Sequence, residues 1–424
     1  MPEPDTLSLK IAGFVGYGLC SIISLMFIRN FINFPVALVP LILELAGLSL
    51  LGLKVARGYK FNLSIPKPSW MDALILVACI TIAVRHVLYF QRFSNGIYTQ
   101  YYSGDLLQHI NDSTDYANGM MPVMRGQILY WGFYFVASVP ISFGMDPRES
   151  VRMTMILLAV LSPLFMYLAT WKLFGSHRTA TISAVLWSGV DFTWYRMTVD
   201  LSLYPNFFGM ISSLILIAAV KNFMKTHDWI RGASILVIAI STAYMSHYST
   251  LFLIFPLVLY ALLSATKDGS KYGLRVRGLL IFGGLLIPVF SGGFLFSNLA
   301  SGLFSALSGL GGYVQYTTPL SLAIPLPSLS YVVGFINNDI LALLLFGNLG
   351  FCVWLVVKRQ DEVIAFLIGW FAIALVMASL ADGSWRISIV MLLPLTIMAG
   401  FTSSLIIDPI ANILLILRGW WYRR

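Results

Sequence analysis

The run Ala73-Leu-Ile-Leu-Val-Ala-Cys-Ile-Thr-Ile-Ala-Val84 is apolar throughout but for one threonine. Soon after it comes Tyr101-Tyr-Ser-Gly-Asp-Leu-Leu-Gln-His109, polar and carrying an acid. An apolar run that fits a bilayer, then a polar excursion before the next run, describes a chain threaded through a membrane. The whole sequence repeats this alternation. Of its 424 residues, 58% are hydrophobic and 11% charged, the balance of an all-α polytopic membrane protein. The runs are near 20 residues long, unlike the roughly 10-residue alternating strands of an outer-membrane barrel.

About twelve transmembrane helices are expected, at 8–29, 35–55, 71–91, 151–173, 179–197, 203–222, 230–247, 248–265, 277–297, 338–358, 361–381 and 386–407. The basic residues orient them. With a cytoplasmic N terminus every lysine falls inside, including Lys10, Lys54, Lys60, Lys67, Lys172, Lys221, Lys225, Lys267, Lys271 and Lys358. Arg418-Gly-Trp-Trp-Tyr-Arg-Arg424 then anchors a cytoplasmic C terminus at the interface. The net charge of +9 is thus a topology signal, and no nucleic-acid partner is implied. A prokaryotic plasma membrane is the expected location. Cys20, Cys79 and Cys352 fall within spans, with no disulfide or metal spacing. The first span lacks a signal-peptide cleavage site and is expected to be retained.

The outer side carries Asp105, Asp112, Asp115, Asp146, Glu149, Asp200 and Asp382. Its basic residues, Arg92, Arg125, Arg148, Arg196 and Arg386, are all arginines. Arginine without lysine suits either fixed ion pairs or a phosphate, which the planar guanidinium grips in two places.

Three regions follow. Residues 1–70 form an N-terminal transmembrane hairpin with a basic cytoplasmic loop. Residues 71–265 form a transmembrane module with a long first outer loop at 92–150. Residues 266–424 add further helices and a Gly-, Ser- and Pro-rich outer segment at 298–337, which carries Tyr313, Tyr316 and Tyr331 and reads as a lid. Within the first loop, Ile128 to Phe143 is apolar and aromatic but short, with Pro140 near its end. It is expected to lie as a helix along the outer membrane surface. GxGxxG, P-loop, HExxH and paired-cysteine motifs are absent from the sequence.

The order of signals resembles the GT-C superfamily of membrane glycosyltransferases, which includes protein O-mannosyltransferases, aminoarabinose transferases and oligosaccharyltransferase catalytic subunits. The resemblance starts at Gly104-Asp105, an early acid in a long outer loop. It continues through the aromatic segment Ile128-Leu-Tyr-Trp-Gly-Phe-Tyr134 and the turn Phe143-Gly-Met-Asp-Pro-Arg148, with Arg152 opening the next span. Trp171-Lys-Leu-Phe-Gly-Ser-His-Arg178 closes that span. Thr179-Ala180, Tyr195-Arg196, Asp200, Phe207-Phe208 and finally Arg386 before Met391-Leu-Leu-Pro394 complete it. Two departures stand out. Gly104-Asp105 is not followed by a second acid, His109 coming four residues later instead, and the first two spans have no counterpart in the minimal module.

The resemblance implies inverting transfer of a sugar from a polyprenyl-phosphate donor to a glycan, lipid or protein acceptor at the outer face. Such a leaving group needs no strong acid, so one carboxylate base suffices, unlike two-acid glycoside hydrolysis. Asp105 is the expected base; Gly-Asp before Leu-Leu-Gln-His also fits a helix N-cap. His109 and Asp112, at i+4 and i+7, would share its face. They could orient the base, bind the acceptor, or hold a divalent cation, Mg or Mn, together with Asp105. Asp115 reads as solvated. Asp200 is a second acid by resemblance. Arg196, Arg386, His247 and Tyr102 complete the expected substrate contacts, Arg386 facing the donor phosphate. The rival reading is a multi-pass secondary transporter or lipid flippase. Transporters place ionisable sites near the midplane and show repeated halves. Here the span interiors are nearly free of charge apart from Glu44, and the 105–115 cluster has no second copy.

Overall fold

A computed structural model describes residues 6–31, 38–56, 66–94, 104–120, 131–190, 204–226, 228–244, 246, 250–267, 333, 336, 339–359, 361–380 and 389–421. In chain order the helices are α1 (Leu7–Phe31), α2 (Leu38–Ala56), α3 (Trp70–Ser94), α4 (Gly104–Ala117), α5 (Trp131–Ser142), α6 (Pro147–Phe174) and α7 (His177–Gly189). They continue with α8 (Tyr204–Lys225), α9 (Trp229–Tyr244), α10 (Leu251–Lys267), α11 (Asp339–Arg359), α12 (Glu362–Leu380) and, after a 3₁₀ turn at Ile389–Met391, α13 (Leu392–Trp421). No strand occurs among the described residues. Each expected span has a helix at its position except 277–297, which lies outside the described residues. Five helical segments, Leu7–Met26, Pro147–Phe174, Tyr204–Lys225, Asp339–Arg359 and Ile389–Ile407, are long and apolar enough to cross a membrane. Twelve spans are therefore not established; α7, for one, covers only His177–Gly189 of the expected 179–197.

Helix α8 is the central pillar. It is apolar on all sides, and every residue from Tyr204 to Lys221 is buried, as expected of a helix enclosed by others. Helices α5, α6 and α9 pack against it. At the periphery, α11 buries only Leu341, Ala342, Leu345, Cys352 and Leu355, and exposes Ile340, Leu343, Trp354 and Val357. That face suits hydrocarbon.

Local sequence sets the ends of α6. Asp146 caps its start, accepting from the backbone N–H of Arg148 at 2.9 Å and Glu149 at 3.2 Å, with Pro147 in the first helical position. Gly175 ends it with φ 72°, a left-handed conformation that glycine adopts without strain. Ser176 then caps α7 by accepting from Thr179 N–H at 3.3 Å. Inside α6, Pro163 leaves the carbonyl of Ala159 without its helical donor. The Ser162 hydroxyl fills that role at 2.7 Å and accepts from Trp187 Nε1 at 2.9 Å, tying α6 to α7.

Helix ends meet in the pattern that alternating direction demands. Lysines close α2, α6, α8, α10 and α11, the helices expected to run inward, where the helix dipole favours a cation. Lys54 Nζ pairs with Asp228 Oδ2 at 2.7 Å, just before α9. Lys172 Nζ donates to Asn222 Oδ1 at 3.4 Å, and Lys221 Nζ sits 4.6 Å from the Tyr260 ring. Ser264 Oγ donates to Glu362 Oε2 at 3.0 Å. At the same level the Tyr167 hydroxyl bonds both Thr6 Oγ1 at 2.8 Å and His177 Nδ1 at 2.6 Å, joining α1 to the α6–α7 corner. Asp72 accepts the backbone N–H of Ser8 and of Ser69, each at 2.7 Å, and so ties α1 to α3.

Helix α13 closes against α7 through Gly400. Phe174 and Phe401 stack at 4.6 Å on one side of the contact, and Thr179 Oγ1 bonds Ser404 Oγ at 2.9 Å on the other. A Cβ at Gly400 would lie 2.9 Å from Ser183 Cα, a backbone atom that cannot rotate away. Gly400→Ala is therefore expected to cost about 1–3 kcal/mol through overpacking. Gly347→Ala on α11, with nothing within 4 Å, should be nearly silent. Thermal unfolding of both variants in detergent checks this; equal midpoints would show that α7 and α13 can separate freely.

Candidate functional site

The polar excursion folds into α4, with Asp105 second in the helix and so inside its first turn, not at the capping position. A carboxylate there is favoured by the helix dipole. The next turns decide how α4 sits. His109, Ser113 and Tyr116 are buried at 6%, 0% and 1% exposure, while Asp112 and Asp115 are half-buried. The expected shared face of Asp105, His109 and Asp112 is thus turned so that the histidine goes inward and Asp112 stays at the rim. Gln108 Nε2 donates to Asp112 Oδ2 at 3.2 Å.

What receives His109 is aromatic. Its Nδ1 bonds the Tyr134 hydroxyl at 3.0 Å, and its ring centroid lies 5.2 Å from Tyr204, 5.6 Å from Tyr134 and 6.1 Å from Phe133. Phe133 also meets Tyr204 at 5.4 Å. Three elements, α4, α5 and the start of α8, therefore converge on one imidazole. Tyr116 stacks on Tyr134 at 6.0 Å and meets Phe135 edge-on at 5.0 Å. Burial pushes its phenol well above the usual range, and the negative charge of Asp112, Tyr134 and Asp115 adds to the shift.

The 128–143 helix exists as α5, but Phe133, Tyr134, Phe135, Ala137 and Ser138 are all buried among α1, α4, α6 and α8. Its aromatic face is enclosed by those helices. Phe133, Tyr134 and Tyr204 lie around His109, whose Nδ1 is taken by the Tyr134 hydroxyl. Among the described residues no three His, Cys, Asp or Glu side chains gather to hold a metal, and the Asp105 side chain expected to complete such a set lies outside them.

Of the other expected site residues, Asp105 is placed by its backbone only. Tyr102, Arg196, Asp200, His247 and Arg386 lie outside the described residues. Sequence reasoning passed over Tyr116, Tyr204 and Asn206. The signal for the first two was aromatic density on both sides of the acid-bearing loop; a lone asparagine in a span carries none.

Residues 131–291 match the model of the family described as dolichyl-phosphate-mannose-protein mannosyltransferase. The crystal structure of the Archaeoglobus fulgidus oligosaccharyltransferase in its apo form is similar in fold, with a TM-score of 0.51 at 14% identity. The likeness covers 83% of this chain and 52% of that one, so the chain spans about half the length of its structural neighbour. No curated protein matches the chain. Sequence and fold both resemble the GT-C glycosyltransferases. The family match begins at Trp131, the first residue of α5, and so takes in Tyr134 and Tyr204 of the aromatic cluster. Asp105 and His109 lie upstream of it.

Tyr116 supplies a pH test. A phenol whose folded pKa is raised keeps its proton when the unfolded chain has lost it, at about pH 10. Above that pH the unfolded state binds fewer protons, so stability falls as pH rises. The stability difference between wild type and Tyr116→Phe is expected to be flat below pH 9 and to shift against wild type above pH 10. Thermal midpoints across that range check this, and a constant difference throughout would place Tyr116 in contact with water.

Proposed function

We propose that the protein is an integral membrane glycosyltransferase of GT-C type that moves a sugar from a polyprenyl-phosphate donor to an acceptor at the outer membrane face, with inversion. Asp105 is the general base: it takes the proton of the acceptor nucleophile as that atom attacks the anomeric carbon, and the lipid phosphate leaves with the bonding electron pair. The acceptor is a glycan, lipid or protein. The observation that carries the reading is that the family match falls on the helices that cradle α4, the helix bearing Asp105. Inside this frame His109 orients α4 against α5 and α8 and does not itself exchange protons with the acceptor. Arg386 holds the donor phosphate with its bidentate fork, and Asp200, Arg196, Asp112, His247 and Tyr102 line the approach. The flippase or transporter alternative is disfavoured by the family match and by the oligosaccharyltransferase-like fold.

The proposed location is a prokaryotic plasma membrane with both termini cytoplasmic; the lysine-closed helix ends support the orientation of the termini. Exposed Asn118, at the end of α4, is a suitable labelling probe. A cysteine at Asn118 should react with an impermeant reagent in sealed right-side-out vesicles, and protection there would invert the topology.

Asp105→Asn is expected to insert and fold normally but lose about a hundredfold or more in turnover, the usual scale of a general base. Near-normal transfer would remove Asp105 from the mechanism. Arg386→Ala should raise the Michaelis constant for lipid donor and lower turnover, with Arg386→Lys recovering only part because it lacks the fork. Asp382→Ala separates this from a structural ion pair: it should be nearly silent, and a stability loss equal to that of Arg386→Ala, with donor affinity unchanged, would make the arginine structural.

A further inference from the structure

The start of α8 holds a polar group that the reading above does not use. Asn206 is the third residue of the helix and only 6% exposed, yet its Nδ2 has no hydrogen-bond partner. A buried amide without a partner costs about 1–3 kcal/mol, so its retention asks for a ligand. Its position says what kind. Side chains in a helix lean toward the N-terminus, so Asn206 reaches back over the opening turn. The backbone N–H groups there have no acceptor within the helix, and Pro205 contributes none, which leaves that of Asn206 prominent. The first turn carries no acid, and the 22-residue helix presents the positive end of its dipole. Donors and dipole together select an anion with several oxygens. Tyr204, two residues earlier, lies against His109 and Phe133, which places this mouth beside the helix that bears Asp105.

We infer that the N-terminus of α8, with Asn206 as its side-chain donor, binds a phosphate group. The geometry of helix termini suits phosphate in general. The inference rests on the glycosyl-transfer reading only for the source of that phosphate, which is the prenyl-linked donor. Asn206 then holds phosphate oxygens from the protein core.

The test uses the purified full chain in a phosphate-free detergent, titrated with farnesyl phosphate, farnesol, inorganic phosphate and phosphatidylglycerol, and read by thermal unfolding. Farnesyl phosphate should raise the midpoint and farnesol should not. Asn206→Leu removes the orphaned donor at similar volume, so its unliganded midpoint should equal or exceed that of wild type. Its half-maximal farnesyl phosphate concentration should rise about tenfold or more, the scale of one hydrogen bond to a charged group. Asn206→Asp adds a charge that the helix dipole tolerates but phosphate does not, and should weaken binding further. Protection by inorganic phosphate or phosphatidylglycerol at the same concentrations, lost in Asn206→Leu, supports the site and reassigns its source. Folded Asn206→Leu and Asn206→Asp with wild-type farnesyl phosphate titrations overturn it. Asp105→Asn tests the transfer reading separately: normal turnover there defeats that reading and leaves the phosphate titration unmoved.

Discussion

Hydrocarbon offers no partner to an unpaired N–H or C=O, and this constraint orders the molecule. It explains why the central pillar is an uninterrupted helix, buried from Tyr204 to Lys221, and why breaks elsewhere are repaired on the spot. Pro163 opens a carbonyl inside α6, and Ser162 closes it while bonding Trp187. Asp146 and Ser176 cap the helices at either end of that corner. Among the described residues a few buried polar groups stay unpaired, and one of them, Asn206 Nδ2, lies in the first turn of α8.

The candidate site grows from that pillar outward. Helix α4 carries few apolar residues and could not hold a fixed pose alone; it is held because His109 and Tyr116 sink into rings supplied by α5 and α8. Asp105 stands about one and three turns from those contacts, whose partners lie in the part of the chain that matches the mannosyltransferase family. A helix borne between spans thus inherits the rigidity of the helices it packs on.

Long apolar runs made the helices legible in the sequence, since a stretch that cannot meet water has few other fates. Lysine placement made their alternation legible too, and the meeting of Lys54 with Asp228 and of Ser264 with Glu362 follows it. What stayed hidden was which side of an element faces protein. The spacing of Asp105, His109 and Asp112 predicts a common face but not that Tyr134 and Tyr204 would claim the histidine and leave Asp112 at the rim. Likewise the aromatic stretch of α5 reads equally well against lipid or protein, and only its neighbours decide. Asn206 gave no signal, because its meaning depends on being third in a helix whose start sequence periodicity places only to within a few residues.

The bond from Thr6 to Tyr167 has a consequence for biogenesis. It joins residues 161 positions apart, so α1 enters the bilayer long before its partner helix has been synthesised. At ordinary translation rates that gap is on the order of ten to thirty seconds. Asp72, 64 positions after Ser8, is made well before it ends, whereas the Tyr167 hydroxyl comes only at its close. The contacts at the start of α1 are thus completed in two stages, first by α3 and then by α6.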